Sequence, residues 1–303
     1  MSFTMPKSQQ PDNPLFESHP RTFAANRYVY PVLSRRAGGI SIGVNLNPDR
    51  ACNFHCVYCQ VDRAASCRAG SVDLDELAGE LDRMVALVAT GRIFEGPPFR
   101  DTPEPLRRLN DIALSGDGEP TLSANFDQAV ELCAEVRRRR GIDDTKLVLI
   151  TNATRLDQPG VRRAMETLDR NHGEIWAKLD AGDEARYRLV NRSAVPWQRI
   201  LDNLRAAAIA RPIVIQSLFL AIRGQQPSAL ELDAYCSRLG EITAAGGQIK
   251  LVQIHTIARS PAESWVSTLD DAAVDAIAEL VRHRTGLNVA AFYGAAKNGK
   301  QTP

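Results

Sequence analysis

The sequence predicts an α/β protein, a parallel sheet with helices packed outside it. Three observations carry that prediction. After Gly38-Gly39, short apolar runs rich in β-branched residues alternate with amphipathic segments about six times, and such alternation argues for a parallel sheet covered by helices. The βα units recur at irregular spacing without internal sequence identity, which excludes a solenoid array. The chain has 303 residues and is 44% hydrophobic, enough to bury a sizeable core without covalent staples.

Taken in order, residues 1–35 read as an N-terminal arm, partly disordered or draped, because Pro, Ser, Asn and Gln dominate with little periodicity. Residues 36–303 then form the core domain, with an insertion at 60–110 and a C-terminal helical segment. The strands fall at 40–45, 111–114, 146–150, 174–179, 213–220 and 248–254, most of them too short and too β-branched for buried helices. Between them, Leu74, Leu77, Leu81, Met84 and Val88 recur at helical spacing. So do Ala129, Leu132, Cys133 and Val136, with Gly141 as a C-terminal stop, and Trp197, Ile200, Leu201 and Leu204 mark another helix. Ser228 with Glu231 and Thr268 with Asp271 have capping-box spacing before the last two long helices. The Pro-rich stretch 94–105 is either an irregular cover or a lid.

Charge and composition narrow the function. The chain carries 37 basic and 36 acidic residues, a net of +1, so no global basic field gathers nucleic acid or an anionic membrane. The strongest basic run, Arg137–Arg140, ends a predicted helix, where positive charge suits the dipole. No apolar run approaches the roughly 20 residues of a spanning helix, and the polar N-terminus lacks a signal peptide's apolar core. Six cysteines are too few and too unevenly placed for a disulfide scaffold. A cytoplasmic protein with a metal centre is the expectation.

The metal centre is expected at Cys52, Cys56 and Cys59, spaced C-x₃-C-x₂-C directly after the first core strand. With cysteine at about 2% of residues, chance gives that pattern in roughly 0.2% of such chains. A structural zinc site usually wants four ligands in two C-x₂-C pairs, and no second pair is present. A [4Fe–4S] cluster held by three cysteines leaves one iron open for a small molecule. Cys133 and Cys236 fall on predicted helices as small buried hydrophobes. Cys67 lies near the triplet without a partner at ligand spacing.

Four further elements point toward a site. Ser115-Gly116-Asp117-Gly118-Glu119-Pro120-Thr121 is a Gly-rich turn with carboxylates right after the second strand. Thr151-Asn152-Ala153-Thr154, at the end of the third strand, suits a barrel rim and equally suits a helix-capping turn. In the fourth strand, period-two alternation puts Trp176, Lys178 and Asp180 on one face, where the two charges either pair with each other or serve a ligand. Gln216, and Gln253 with His255, interrupt later apolar runs, and His255 is a pocket candidate or a hydrogen-bonded core residue.

Together these motifs resemble the radical S-adenosylmethionine (radical SAM) superfamily. The resemblance rests on Cys52-x₃-Cys56-x-Tyr58-Cys59, Ser-Gly-Asp-Gly-Glu-Pro-Thr-Leu from Ser115, Leu-Ile-Thr-Asn-Ala from Leu149 and Lys-Leu-Asp-Ala from Lys178. It spans roughly residues 40–257 and is nearest to the branch containing the wyosine-base synthases, which modify transfer RNA. It implies a partial (βα)₆ TIM-like barrel of the radical SAM type, with a [4Fe–4S] cluster on Cys52, Cys56 and Cys59 and S-adenosylmethionine on its open iron. The cofactor-binding residues it implies are Tyr58, Gly116, Asp117, Gly118, Glu119, Asn152, Lys178 and Asp180. Lys178, Asp180 and His255 are the catalytic candidates. The implied activity is reductive cleavage to methionine and a 5′-deoxyadenosyl radical, which takes a hydrogen atom from an unidentified small-molecule or RNA substrate. A flavodoxin- or ferredoxin-type electron donor is then expected as partner, and no membrane. A wyosine-synthase-like transfer-RNA enzyme and a non-catalytic Fe–S or metal-binding protein are the alternatives. No cysteine precedes Cys52 to bind the second cluster that wyosine synthases carry.

Overall fold

The fold is taken from a computed structural model that describes residues 15, 23–34, 36–61, 71–259, 261 and 263–294. Cys67 and most of the expected arm lie outside these residues. Eight strands form one curled sheet in the order β1-β2-β3-β4-β5-β6-β8-β10. They are β1 (Val29–Ser34), β2 (Gly39–Val44), β3 (Leu109–Leu114), β4 (Lys146–Thr151), β5 (Gly173–Lys178), β6 (Ile213–Leu218), β8 (Ile249–His255) and β10 (Val289–Phe292). Every pairing from β2 to β10 is parallel, and β1 alone runs antiparallel, against β2. The helices are α1 (Leu74–Ala89), α2 (Phe126–Arg139), α3 (Pro159–Arg170), α4 (Glu184–Asn191), α5 (Trp197–Ala210), α6 (Ala229–Ala244) and α7 (Asp271–Thr285). The two-residue strands β7 (Ala221–Ile222) and β9 (Val266–Ser267) pair separately. This is the partial βα barrel that the sequence predicts.

The period-two pattern of the strands separates two apolar regions. One face, with Ile42, Ile112, Leu114, Leu147, Leu149, Ile175, Ile215 and Val252, joins the helices in the main core. The other face puts Ala113, Val148, Trp176 and Val214 together inside the barrel. Local chemistry sets the helix boundaries. Asp73 caps α1 by accepting from the amides of Asp75 and Glu76, and Ser228 and Glu231 form a reciprocal capping box on α6. On α7 the cap is Asp270, not Thr268, because the helix starts at Asp271 and the Asp270 carboxylate reaches the amide of Ala273. Gly141 follows α2 at φ +63°, the left-handed geometry expected of a stop.

Two elements depart from the sequence reading. Residues 29–34, assigned to the arm, make β1, and its entry is pinned by Glu80 of α1. That buried carboxylate accepts from the amides of Arg27 at 2.7 Å, Tyr28 at 2.8 Å and Val29 at 3.0 Å. The C-terminal segment, read as helical, also adds β10 beside β8. The Pro-rich stretch is a cover and not a lid. Phe94, Phe99 and Leu106 are buried in the main core, and Arg107 ties the stretch together by donating to the carbonyls of Thr102 and Arg100.

Candidate active site

The C-terminal ends of the parallel strands carry the candidate site, as they do in barrels generally. Beyond β2 the chain runs through Asn45 and Asn47 into the loop bearing the half-buried Cys52, Cys56 and Cys59. Beyond β3 it makes the Gly116–Glu119 turn, and the two segments interlock. Asn45 Nδ2 donates to Asp117 Oδ2 at 2.7 Å, and the Glu119 amide donates to the Ala51 carbonyl at 2.9 Å. A Cβ on Gly116 would lie 2.3 Å from Asn45 Oδ1, and one on Gly118 would lie 2.0 Å from the Ala51 carbonyl. Glycine is required at both positions because the cysteine loop occupies the space of a side chain.

Two more strand ends hold the loop from other sides. Asn152, after β4, donates to Asn53 Oδ1 at 2.7 Å and lies 3.9 Å from Cys52 Sγ, while Asn53 Nδ2 donates to Thr154 Oγ1 at 2.8 Å. At the end of α4 the carbonyls of Asn191 and Val190 accept from the amides of His55 and Val57. Asn191 Nδ2 points at Cys56 Sγ, 3.5 Å away, and donates to Asp180 Oδ2 at 2.9 Å. The Phe54 amide lies 3.4 Å from Cys52 Sγ.

The charged candidates play unequal parts. Asp180 is fully buried and accepts from the Tyr58 hydroxyl, from Asn191 and, on Oδ1, from the Leu218 amide at 2.9 Å. Lys178 donates to Tyr58 Oη at 3.0 Å and pairs with Asp180 at 3.7 Å, so the two charges do meet. The lysine also lies over the Tyr58 ring and remains partly open to the cleft. Glu119 is buried and accepts four hydrogen bonds, from the Thr121 amide and hydroxyl, Thr151 Oγ1 and the Asn152 amide. Burial raises its carboxyl above the ordinary range, against those donors. Burial also pushes the Cys56 thiol up to about 12, opposed by nearby Lys178. Tyr58 is held well above its usual value by burial and the adjacent Asp180 charge.

All of this opens on one cleft of about 360 Å³. Cys52, Cys56, Tyr58, Cys59, Gly116, Asp117, Gly118, Glu119, Asn152, Lys178 and His255 line it, so every predicted site residue but Asp180 faces the same space. Asp180 sits behind, holding Tyr58. Sequence reasoning missed Asn53 and Asn191, whose contacts with Thr154 and Cys56 span 101 and 135 positions. Gln216 and Gln253 are bonded to each other at 3.1 Å. Three arginines of the Arg137–Arg140 run are engaged within the fold. Arg137 is buried and donates to the carbonyls of Thr145 and Asp143, while Arg139 and Arg140 pair with Asp82 of α1.

The profile of the Radical SAM superfamily matches residues 46–234, more than half of the chain, from the cysteine loop through the Gly116–Glu119 turn to Lys178 and Asp180. The chain belongs to the radical SAM superfamily. That superfamily is one of enzymes, and its members use S-adenosylmethionine and typically a [4Fe–4S] cluster. A UPF0026 protein of Methanocaldococcus jannaschii is 29% identical over 169 residues, 54% of this chain and 43% of that protein. One from Helicobacter pylori is 24% identical over 71% of this chain and 62% of its own length. The match thus spans less than two thirds of these relatives. A radical SAM methyltransferase from Sphaerobacter thermophilus shares the fold, with a TM-score of 0.59 and 15% identity over 88% of this chain and 69% of that one. A TYW1 structure with a lysine-pyruvate adduct does so with a TM-score of 0.50 and 15% identity, over 82% and 74%. At these identities the likeness is one of fold.

Among the described residues no helix is long and apolar enough to cross a membrane. Nor does any group of three His, Cys, Asp or Glu side chains among them form a site for a single metal ion.

Proposed function

We propose that Cys52, Cys56 and Cys59 hold a [4Fe–4S] cluster, that S-adenosylmethionine lies beside it against the Gly116–Glu119 turn, and that the protein abstracts a hydrogen atom from a small molecule in the barrel cleft. One observation carries this reading: the glycine turn and the cysteine loop are built as a single unit, with Gly118 and Glu119 seated on Ala51 next to Cys52. The donor set fits the group. Three thiols face one cleft, and N–H groups lie within reach of two of the sulfurs, as cluster thiolates are commonly served. When bound, the cluster and S-adenosylmethionine supply one-electron cleavage of the sulfonium to methionine and a 5′-deoxyadenosyl radical.

The chain's own residues bind, orient and exclude water. Glu119 braces the turn against β4 through Thr151 and Asn152, and Asn45 fixes Asp117. Asp180 holds Tyr58 and Asn191 against the cysteine loop, and Lys178 presents an ammonium to the cleft for a carboxylate or hydroxyl oxygen. Ala113, Val148 and Trp176 give the space below an apolar wall. A small-molecule substrate is favoured over RNA because three arginines of the Arg137–Arg140 run, Arg137, Arg139 and Arg140, are engaged by Asp82 and by backbone carbonyls. A low-potential flavodoxin or ferredoxin supplies the electron, and a reducing cytoplasm suits cysteines that serve as cluster ligands.

The test is anaerobic reconstitution with iron and sulfide, then dithionite and S-adenosylmethionine, with 5′-deoxyadenosine as readout. The expected result is cluster absorbance and product in the wild type and neither in Cys56→Ala. An intact cluster without product refutes the enzymatic reading, and a Cys56→Ala variant that still cleaves refutes the ligand assignment.

A further inference from the structure

The cleft does not end beneath the cysteine loop. Ser34, Arg36, Ser41 and Asp111 line the same cavity as Cys52 and Cys59, yet Ser41 and Asp111 stand near the opposite, N-terminal ends of β2 and β3. From Asp111 to Ser115 is four residues of extended chain, roughly 13 Å. Between these ends the cavity is lined by Ala113, which contributes only a methyl, and by the Tyr30 ring, which packs over Gly43.

Asp111 is the unusual group on this floor. It is only 4% exposed, and Ser41 Oγ donates to its Oδ1. Among the described residues no donor reaches Oδ2. The cations nearby are placed elsewhere. Lys146 is 2.8 Å from Glu174, Lys250 is 2.6 Å from the same carboxylate, and the Arg36 guanidinium lies over the Trp176 ring at 5.9 Å. A buried carboxylate with a single hydrogen bond is costly unless a partner completes it. Consistently, burial pushes its carboxyl up to about 6, against the opposing effects of Ser41 and Lys146.

We propose that Asp111 is the deep anchor of the substrate subsite and takes the ammonium of an elongated primary amine whose chain runs up the Ala113–Val148–Trp176 wall toward the cysteine loop. The amine's N–H groups would complete Oδ2, its alkyl chain would match the apolar wall, and its far end would stand below the cleft's cysteine rim. The assignment rests on reading this cleft as the substrate site.

The experiment is isothermal titration of the full-length reduced protein at 150 mM salt with n-hexylammonium, hexan-1-ol and hexanoate, three ligands of one length that differ at the head. At this ionic strength, binding by scattered surface carboxylates is screened. The wild type is expected to bind hexylammonium at least tenfold more tightly than hexanol or hexanoate, from one charge-assisted ammonium–carboxylate hydrogen bond that neither of the others can make with Asp111. In Asp111→Asn, which keeps the side chain's shape, the ammonium preference should vanish while hexanol affinity persists. Equal binding of amine and alcohol by the wild type overturns the proposal, whatever the variant's fold. A preference that survives in Asp111→Asn overturns it too. The outcome separates from that of the radical reading: selective amine binding with no 5′-deoxyadenosine formed supports the anchor and refutes the chemistry, and product formation without amine selectivity does the reverse.

Discussion

Replacing Glu119 by glutamine tests whether this carboxylate braces the turn or serves the ligand. The side chain keeps its shape, and one acceptor oxygen remains. In the wild type, Oε1 accepts from the Thr121 amide at 3.2 Å, Thr121 Oγ1 at 2.7 Å and Thr151 Oγ1 at 2.6 Å, and Oε2 accepts from the Asn152 amide at 2.7 Å. The glutamine oxygen can take the three-donor side, but its NH₂ group then faces the Asn152 N–H, donor against donor. The reverse orientation strands three donors and costs more. The cheaper orientation therefore loses one charge-assisted bond and orphans a buried amide, about 2–4 kcal/mol, part of it recovered because a buried charge is removed. A net loss of about 2 kcal/mol lowers the urea midpoint by about 0.7 M at a slope of about 3 kcal/mol/M. The assay is urea unfolding of the metal-free chain under reduction, paired with titration of S-adenosylmethionine into the reconstituted protein. Stability within about 0.5 kcal/mol of wild type, together with lost S-adenosylmethionine binding, would refute the bracing argument. The carboxylate would then have to act on the ligand directly.

Two other carboxylates give predictions of their own. Glu174 sits on the barrel floor, hydrogen-bonded to Lys146, Lys250 and Trp176 Nε1. Burial raises its carboxyl, but these donors outweigh burial and bring it from 4.5 to about 2. A depressed folded value means that the stabilisation is present above about pH 4.5 and is lost as pH falls from there through about 2, up to about 3 kcal/mol. Glu174→Gln should flatten that limb of the stability–pH curve, measured by thermal unfolding, and an unchanged acid limb would contradict the pairing. Glu80→Ala strands the amides of Arg27, Tyr28 and Val29. It should cost about 3 kcal/mol or more and raise hydrogen exchange across 27–34 ahead of the other strands; uniform exchange in all strands would show that β1 is not held by this contact.

Six of the seven parallel strands, all but β10, were legible because most are short, β-branched runs largely buried in a barrel wall. Strand β1 was not, for two physical reasons. Pro31 interrupts the run, and a proline is tolerated there because β1 is an edge strand with an unpaired side. Its anchor, Glu80, lies about fifty positions away on α1, so nothing local signals it. Strand β10 is four residues long, Val-Ala-Ala-Phe, and gains its strand character from pairing with β8. Helix α3 did carry a readable stripe, Val161, Ala164, Met165 and Leu168, but its charged remainder masked it. At the site, the cysteine spacing and the glycine turn could be read from the chain because their chemistry is local. Asn152 was among the residues so read, but Asn191, which serves the Cys56 sulfur, was not. Asn191 reaches Cys56 across 135 positions, and a single asparagine after a short helix carries no periodic signal.

The buried carboxylates can be sorted by how completely protein donors surround them. Glu80 has three backbone amides, Glu119 has four donors, and Asp180 has Tyr58, Asn191 and the Leu218 amide with Lys178 alongside. A carboxylate removed from water needs several hydrogen bonds to remain ionised at tolerable cost, so these three are complete and act as braces. They join β1 to α1, the glycine turn to β4, and the cysteine loop to α4 and β6. The family resemblance marked Glu119 and Asp180 as ligand-binding, and their donors add a bracing role at both positions, which Glu119→Gln separates from contact with the ligand. Asp111 carries one hydrogen bond and lines the cavity. By the same reasoning, the missing donors at Asp111 belong to the molecule that this cleft binds.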